Sequence, residues 1–200
     1  MKPYNPMMIQ SPSQTIGPYF ALGLVRKGDK VITNVLISEK TEGERIRIEG
    51  CVFDGDGRPV EDAMLEIWQA NHHGRYNHPL DEQDKPLDPD FIGHGRAGTD
   101  PKGKYWFETI KPGSTPGLND TPQSPHINVI VFARGMLVHA FTRIYFVDEV
   151  ANRNDPVLVS VEDEARRNTL IAKRESSEGR TVYRFDIHLK GDMETVFFDA

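Results

Sequence analysis

The stretch Arg45-Ile46-Arg47-Ile48-Glu49-Gly50-Cys51-Val52-Phe53 sets Ile46, Ile48, Gly50 and Val52 in alternation with Arg45, Arg47 and Glu49. That two-residue period belongs to a strand with one face buried and the other in water. Asp54-Gly55-Asp56-Gly57 ends it as a turn, since aspartate and glycine tolerate the backbone angles of a chain reversal. Residues 64–70 and 104–110 are further short apolar runs, the second entered through Asp100-Pro101-Lys102-Gly103, and a long polar loop lies between them. Near the C-terminus Tyr183, Phe185, Ile187 and Leu189 alternate with Arg184, Asp186, His188 and Lys190. This segment should pair with 169–174 across a turn at 176–179. Residues 127–132 and 137–146 complete the set, joined as a hairpin at Arg134-Gly135. Only 149–152 and 162–167 read as short helices. Many short strands between regular turn signals predict an all-β fold, a two-sheet antiparallel sandwich with long loops. The proline-rich first 22 residues show little periodicity and are expected to form an extended arm held by something outside the domain, with 23–200 as a single sandwich domain.

At 200 residues the chain is long enough for one well-buried core. No apolar run approaches the roughly 20 residues of a membrane helix, and the N-terminus lacks the layout of a secretory signal, so a cytoplasmic location without membrane contact is expected. Cys51 is the only cysteine. An internal disulfide and a thiolate metal cluster are therefore excluded, and a buried structural thiol is expected. The net charge of −6, with no basic block interleaved with aromatics, argues against nucleic acid and for a small molecule or another protein as partner.

Chemistry would have to come from the seven histidines and their surroundings. His188 falls on the polar face of its strand, and His139 shares a strand face with Phe141 and Tyr145, where a hydrogen-bonded core histidine is expected. Asn71-His72-His73-Gly74-Arg75-Tyr76-Asn77-His78 packs three histidines into seven residues. Neighbouring side chains on extended backbone diverge, so His72 and His73 would share one ion only if a turn brought them together. The sequence contains no Gly-x-Ser-x-Gly elbow, phosphate loop or His-Glu-x-x-His helix.

Taken in order, Ser13-Gln14-Thr15-Ile16-Gly17-Pro18-Tyr19, Leu65-Glu66-Ile67-Trp68-Gln69-Ala70-Asn71, Gly74-Arg75-Tyr76, Ile110-Lys111-Pro112-Gly113, Pro125-His126-Ile127 and Glu194-Thr195-Val196-Phe197-Phe198 resemble the intradiol ring-cleaving dioxygenases over nearly the whole chain. The resemblance implies a ferric ion held by two tyrosines and two histidines, the histidines one residue apart on a strand. Phenolate oxygen suits that hard cation, and an exchangeable position admits a catechol for reaction with dioxygen. In this chain Tyr76 matches the first tyrosine and His126 the first histidine. Thr115 stands at the second tyrosine and Asn128 at the second histidine, and neither supplies the donor that trivalent iron favours. Gln123 falls where the family keeps an arginine beside the substrate, so that positive charge should be missing too. No metal is expected in this chain.

The pattern is similar to the iron-free subunit of two-chain family members. It implies a homologous iron-binding beta subunit as partner, with Fe(III) held there, and further assembly of the αβ unit in unknown copy number. The expected activity of the pair is cleavage of protocatechuate with O2 to 3-carboxy-cis,cis-muconate, while the isolated chain should be inactive. The resemblance places Thr15, Gly17, Pro18 and Tyr19 of the arm, together with Arg134, near the substrate pocket at the interface. At about 3.3 Å per residue Arg134 lies roughly 26 Å from His126, too far to serve this chain's own degenerate site. It could meet a substrate carboxylate by paired hydrogen bonds. Two other readings are a self-sufficient metalloenzyme using Tyr76, His126 and one of His72, His73 or His78, and a non-catalytic sandwich module.

Overall fold

A computed structural model describes residues 34–117, 121–177 and 179–199. The arm and its residues Thr15, Gly17, Pro18 and Tyr19 lie outside the described residues. Nine strands follow in chain order: β1 (Arg45–Phe53), β2 (Met64–Trp68), β3 (His94–Gly98), β4 (Lys104–Ile110), β5 (His126–Phe132), β6 (Ala140–Phe146), β7 (Ile171–Ser177), β8 (Arg180–Arg184) and β9 (Ile187–His188). A 3-10 turn at Val150–Asn154 and two short helices, α1 (Pro156–Val159) and α2 (Glu164–Asn168), lie between β6 and β7.

The all-β sandwich is present. One leaf runs β3-β2-β5-β6 and the other β7-β8-β1-β4, with β9 alongside the end of β1. β7 joins the leaves: its first residues pair in parallel with Tyr145 and Phe146, and its remainder pairs antiparallel with β8. The sandwich is mixed rather than wholly antiparallel, because β1 also runs parallel to β8 and β9. Those pairings arise from chain crossovers, which short-range alternation does not encode.

In β1 the burial alternates as its sequence demands: Ile46, Ile48 and Val52 are buried, and the charged face stays accessible. They meet Leu65, Ile67, Ile127, Val129 and Ile144 of the opposite leaf in one apolar cluster. Each fully buried aliphatic side chain there contributes roughly 1.5–3 kcal/mol. Gly50 is required by a close approach, for a Cβ at this position would lie 1.9 Å from the Phe185 carbonyl oxygen. At that point the chain crosses from β8 towards β9.

The expected hairpin forms in shifted bounds: Lys173–Ser177 pairs with Arg180–Arg184, so Ser176 and Ser177 extend the strand, and Ile187 and His188 leave it to run alongside β1. β3 falls inside the long loop expected to be irregular. Its His-Gly-Arg-Ala-Gly sequence has little strand propensity, but five consecutive residues pair with β2. Cys51 is half-buried on the outer face of β1 rather than in the core, because the alternation that buries Gly50 and Val52 turns its thiol outward. Partial burial and the Asp186 carboxylate push that thiol up, away from reactivity. His139 is exposed on the loop before β6, its ring tilted against that of Phe132, and is not a core histidine, since β6 begins only at Ala140.

Candidate functional site

The segment after β2 is built as a rigid platform. Gln69 is buried: its amide donates to the Ile110 carbonyl at 2.9 Å, and its oxygen accepts from the Thr109 hydroxyl at 2.8 Å. Asn71, also buried, accepts from the backbone N–H groups of His73 and Arg75 and donates to the Pro86 carbonyl. These bonds satisfy an irregular backbone that would be costly to bury otherwise. Gly74 completes the turn with φ +81°, and a Cβ there would lie 1.9 Å from the Ser114 carbonyl oxygen.

The platform delivers Tyr76, whose N–H donates to Asp81 Oδ2 at 2.7 Å and whose ring stacks on Trp68 at 5.7 Å. Across the leaf, alternation along β5 buries Ile127, Val129 and Val131 and turns Asn128 towards Tyr76. Asn128 Nδ2 donates to the Tyr76 hydroxyl at 3.1 Å and to the Trp68 carbonyl at 3.2 Å, leaving its buried oxygen without a partner. Thr115 is buried and lines the same cavity as Tyr76, Trp68 and His78. It forms a two-way bridge with Gln123: each backbone N–H donates to the other's carbonyl, at 3.3 and 2.8 Å. Tyr76, Thr115, Asn128 and His126, the four residues expected at ligand positions, therefore gather at one end of the leaf. His126 sits deeper, its Nδ1–H donating to the Ser124 carbonyl at 2.8 Å.

A residue that the sequence left unnoticed brings a positive charge to the site. Arg143 lies directly across from Asn128 in the β5–β6 register, and its Nη1 donates to Gln123 Oε1 at 2.6 Å. The positive charge expected to be missing when Gln123 replaced arginine is thus supplied from the neighbouring strand. Only strand pairing could reveal this, because the two residues are 20 apart in sequence.

Burial pushes the Tyr76 phenol above its ordinary value, while Asn128 and Arg143 partly oppose the shift, so it is a neutral hydroxyl at pH 7. Burial, with Arg143 adding to it, pushes His126 down to about 4. The native imidazole therefore binds its proton only near pH 4, whereas the unfolded chain binds one near 6.5. Stability is full above pH 6.5 and falls by about 3 kcal/mol as pH drops through that window towards 4. Urea unfolding measured across pH 4–7 should show this slope, and His126→Gln should flatten it.

A neutral phenol, a hydroxyl, an amide and one imidazole beside a fixed guanidinium do not fit a ferric ion. Among the described residues, the His/Cys/Asp/Glu group spaced for an ion is Glu42, His72 and His73, so His72 and His73 group with Glu42, while His78 lines the cavity beside Tyr76. Arg134 projects at the far end of β5. Its Nε donates to Asp62 Oδ2 at 2.6 Å and its Nη2 pairs with Glu61 at 3.4 Å. Beyond Arg143, Asp155 also escaped the sequence reading. It is buried, N-caps α1, and accepts the Ser124 N–H at 2.7 Å and the Tyr145 hydroxyl at 3.0 Å. The Asp155-Pro156 pair was its available signal, since proline favours the first helical position.

The profile of the family described as Dioxygenase matches residues 16–191. Protocatechuate 3,4-dioxygenase alpha chains from Pseudomonas putida and Burkholderia cepacia are 42% and 46% identical, each over 96% of this chain and 98% of the relative. The Burkholderia cepacia beta chain is 41% identical over 74% of this chain and 66% of its own length. Among solved structures, a dioxygenase domain from a Streptomyces dioxygenase carbohydrate-binding fusion superposes with TM-score 0.62 at 25% identity, over 90% of this chain and 99% of that one. An intradiol ring-cleavage dioxygenase from Tetranychus urticae shares the fold, with TM-score 0.62 at 20% identity over 90% and 94%. The chain belongs to the intradiol ring-cleaving dioxygenase family, alongside the alpha chains of protocatechuate 3,4-dioxygenase.

Proposed function

We propose that this chain is the iron-free alpha subunit of an intradiol dioxygenase. A homologous iron-bearing beta subunit cleaves protocatechuate with O2 to 3-carboxy-cis,cis-muconate, and this chain completes its pocket. The observation that carries the reading is a site that keeps the family scaffold, from Gln69 and Asn71 to Tyr76 and His126, but has Thr115 and Asn128 where donors are needed. Similarity to both alpha and beta chains supports duplicated sandwiches facing one another across a pseudo-symmetric interface. Such αβ units would assemble further in the cytoplasm.

In this reading the arm (residues 1–22, ahead of the domain at 23–200) reaches the partner's pocket through Thr15, Gly17, Pro18 and Tyr19. Arg134 faces the same pocket. Asp62 grips its Nε and so fixes the direction of the guanidinium, whose remaining donors suit the planar carboxylate of protocatechuate. Arg134 binds and orients substrate, and moves no proton.

The test is reconstitution. The purified chain alone should contain no iron and consume no O2 with protocatechuate, and co-expression with its iron-bearing homologue should give a stable, active complex. In that complex Arg134→Ala should raise KM for protocatechuate several-fold and leave turnover of a catechol lacking the carboxylate nearly unchanged. Turnover by the chain alone, or failure to associate with any such homologue, would refute the proposal.

A further inference from the structure

The dioxygenase reading leaves the His72-His73 pair unused. A turn at 72–73, closed by Asn71 Oδ1 and by Gly74 at positive φ, removes the divergence expected of neighbours on extended backbone. The two imidazole rings lie 3.8 Å apart between centroids. Glu42 approaches from the segment before β1, with its N–H anchored on Asp88 Oδ2 at 3.0 Å. Gly43 passes beneath His72, where a Cβ would come within 2.8 Å of the His72 Cβ. One ligand atom from each of Glu42, His72 and His73 lies within 4.8 Å of the others.

These groups do not satisfy one another. His72 Nε2 is 3.7 Å from Glu42 Oε2, beyond hydrogen-bonding range, and His72 Nδ1 is buried without a partner. Ligands about 2.0–2.2 Å from a common ion stand roughly 3 to 4 Å apart, so small side-chain rotations bring three donors onto one ion.

We propose that Glu42, His72 and His73 form a site for a borderline divalent cation of the Zn²⁺, Ni²⁺ or Cu²⁺ class, with water in the remaining positions. Two imidazoles and a carboxylate match that class and suit neither Mg²⁺ nor Ca²⁺, which take oxygen ligands. The site is a clip. It ties the segment before β1 to the loop after β2, four residues ahead of Tyr76, and it is separate from the degenerate centre containing His126.

Zinc chloride titrated by calorimetry into the untagged, metal-stripped chain, and into its complex with the iron-bearing homologue, should show one ion per chain with Kd of about micromolar order. His73→Ala, at an exposed position that leaves folding intact, and His72→Ala should each weaken binding by at least about tenfold, and Glu42→Gln by less. Zinc should raise the thermal midpoint of the parent chain and not of His73→Ala, while His139→Ala should behave as the parent. Absent zinc binding, or binding that survives both histidine substitutions, overturns the proposal, whatever the outcome of reconstitution.

Discussion

Thr115→Tyr combined with Asn128→His is expected to leave the chain without stoichiometric iron, whereas adding Arg143→Gln to the pair should load it. The double variant restores the family's donor types beside Tyr76 and His126, so donor chemistry alone predicts binding. Arg143 opposes it. Its guanidinium cannot lose its proton, and the β5–β6 register fixes it opposite Asn128 with Nη1 on Gln123. Its field already reaches both surviving residues, favouring the ionised form of Tyr76 and disfavouring the protonated form of His126. The family's arginine is expected at the position of Gln123, whereas Arg143 stands directly across the strand pair from residue 128, so a trivalent ion held by a histidine there would face this charge in a poorly solvated site, where like charges repel far more than in water. The expected difference in iron affinity between triple and double variants is at least about tenfold, or about 1.4 kcal/mol. Metal analysis and the visible phenolate-to-iron absorption read it, with circular dichroism confirming the fold. Equal iron in both variants would show that Arg143 is no barrier.

Asp155→Ala should cost about 3–5 kcal/mol, a large share of the roughly 5–15 kcal/mol that holds a domain together. The carboxylate is fully buried and accepts four bonds: from the N–H groups of Ser124, Val157 and Leu158 at 2.7, 3.0 and 2.8 Å, and from the Tyr145 hydroxyl at 3.0 Å. Alanine would leave four donors without this acceptor, Val157 only partly buried among them, and each buried unsatisfied group carries a desolvation cost of about 1–3 kcal/mol. Asp155→Asn retains one acceptor and should lie between. The damage would reach the site, because Ser124 holds His126 through its carbonyl. Urea unfolding of both variants tests this, and a loss under about 1 kcal/mol for Asp155→Ala would mean that water replaces the carboxylate.

Parts of this were legible in the order of residues. The alternation in 45–53 determined β1 residue for residue, since a period of two leaves a half-buried strand one choice of inward face. The apolar run at 104–110 likewise found its place, while the turn expected at 176–179 begins later, because Ser176 and Ser177 pair with Thr181 and Arg180. Thr115 and Asn128 read as poor donors for iron because the family resemblance sets which residue type is expected at each position.

Long-range pairing decided the rest. β3 exists because β2 offers it a ladder of hydrogen bonds, while its own glycines argue for a loop. His72 and His73 face one another because a side-chain amide and a positive-φ glycine fold their backbone into a turn. Arg143 brings a positive charge to Gln123 because antiparallel register sets side chains of adjacent strands side by side, however distant in sequence. Which residue types a chain carries is a local property, whereas the field at a buried point is a sum over neighbours that only the folded arrangement assembles.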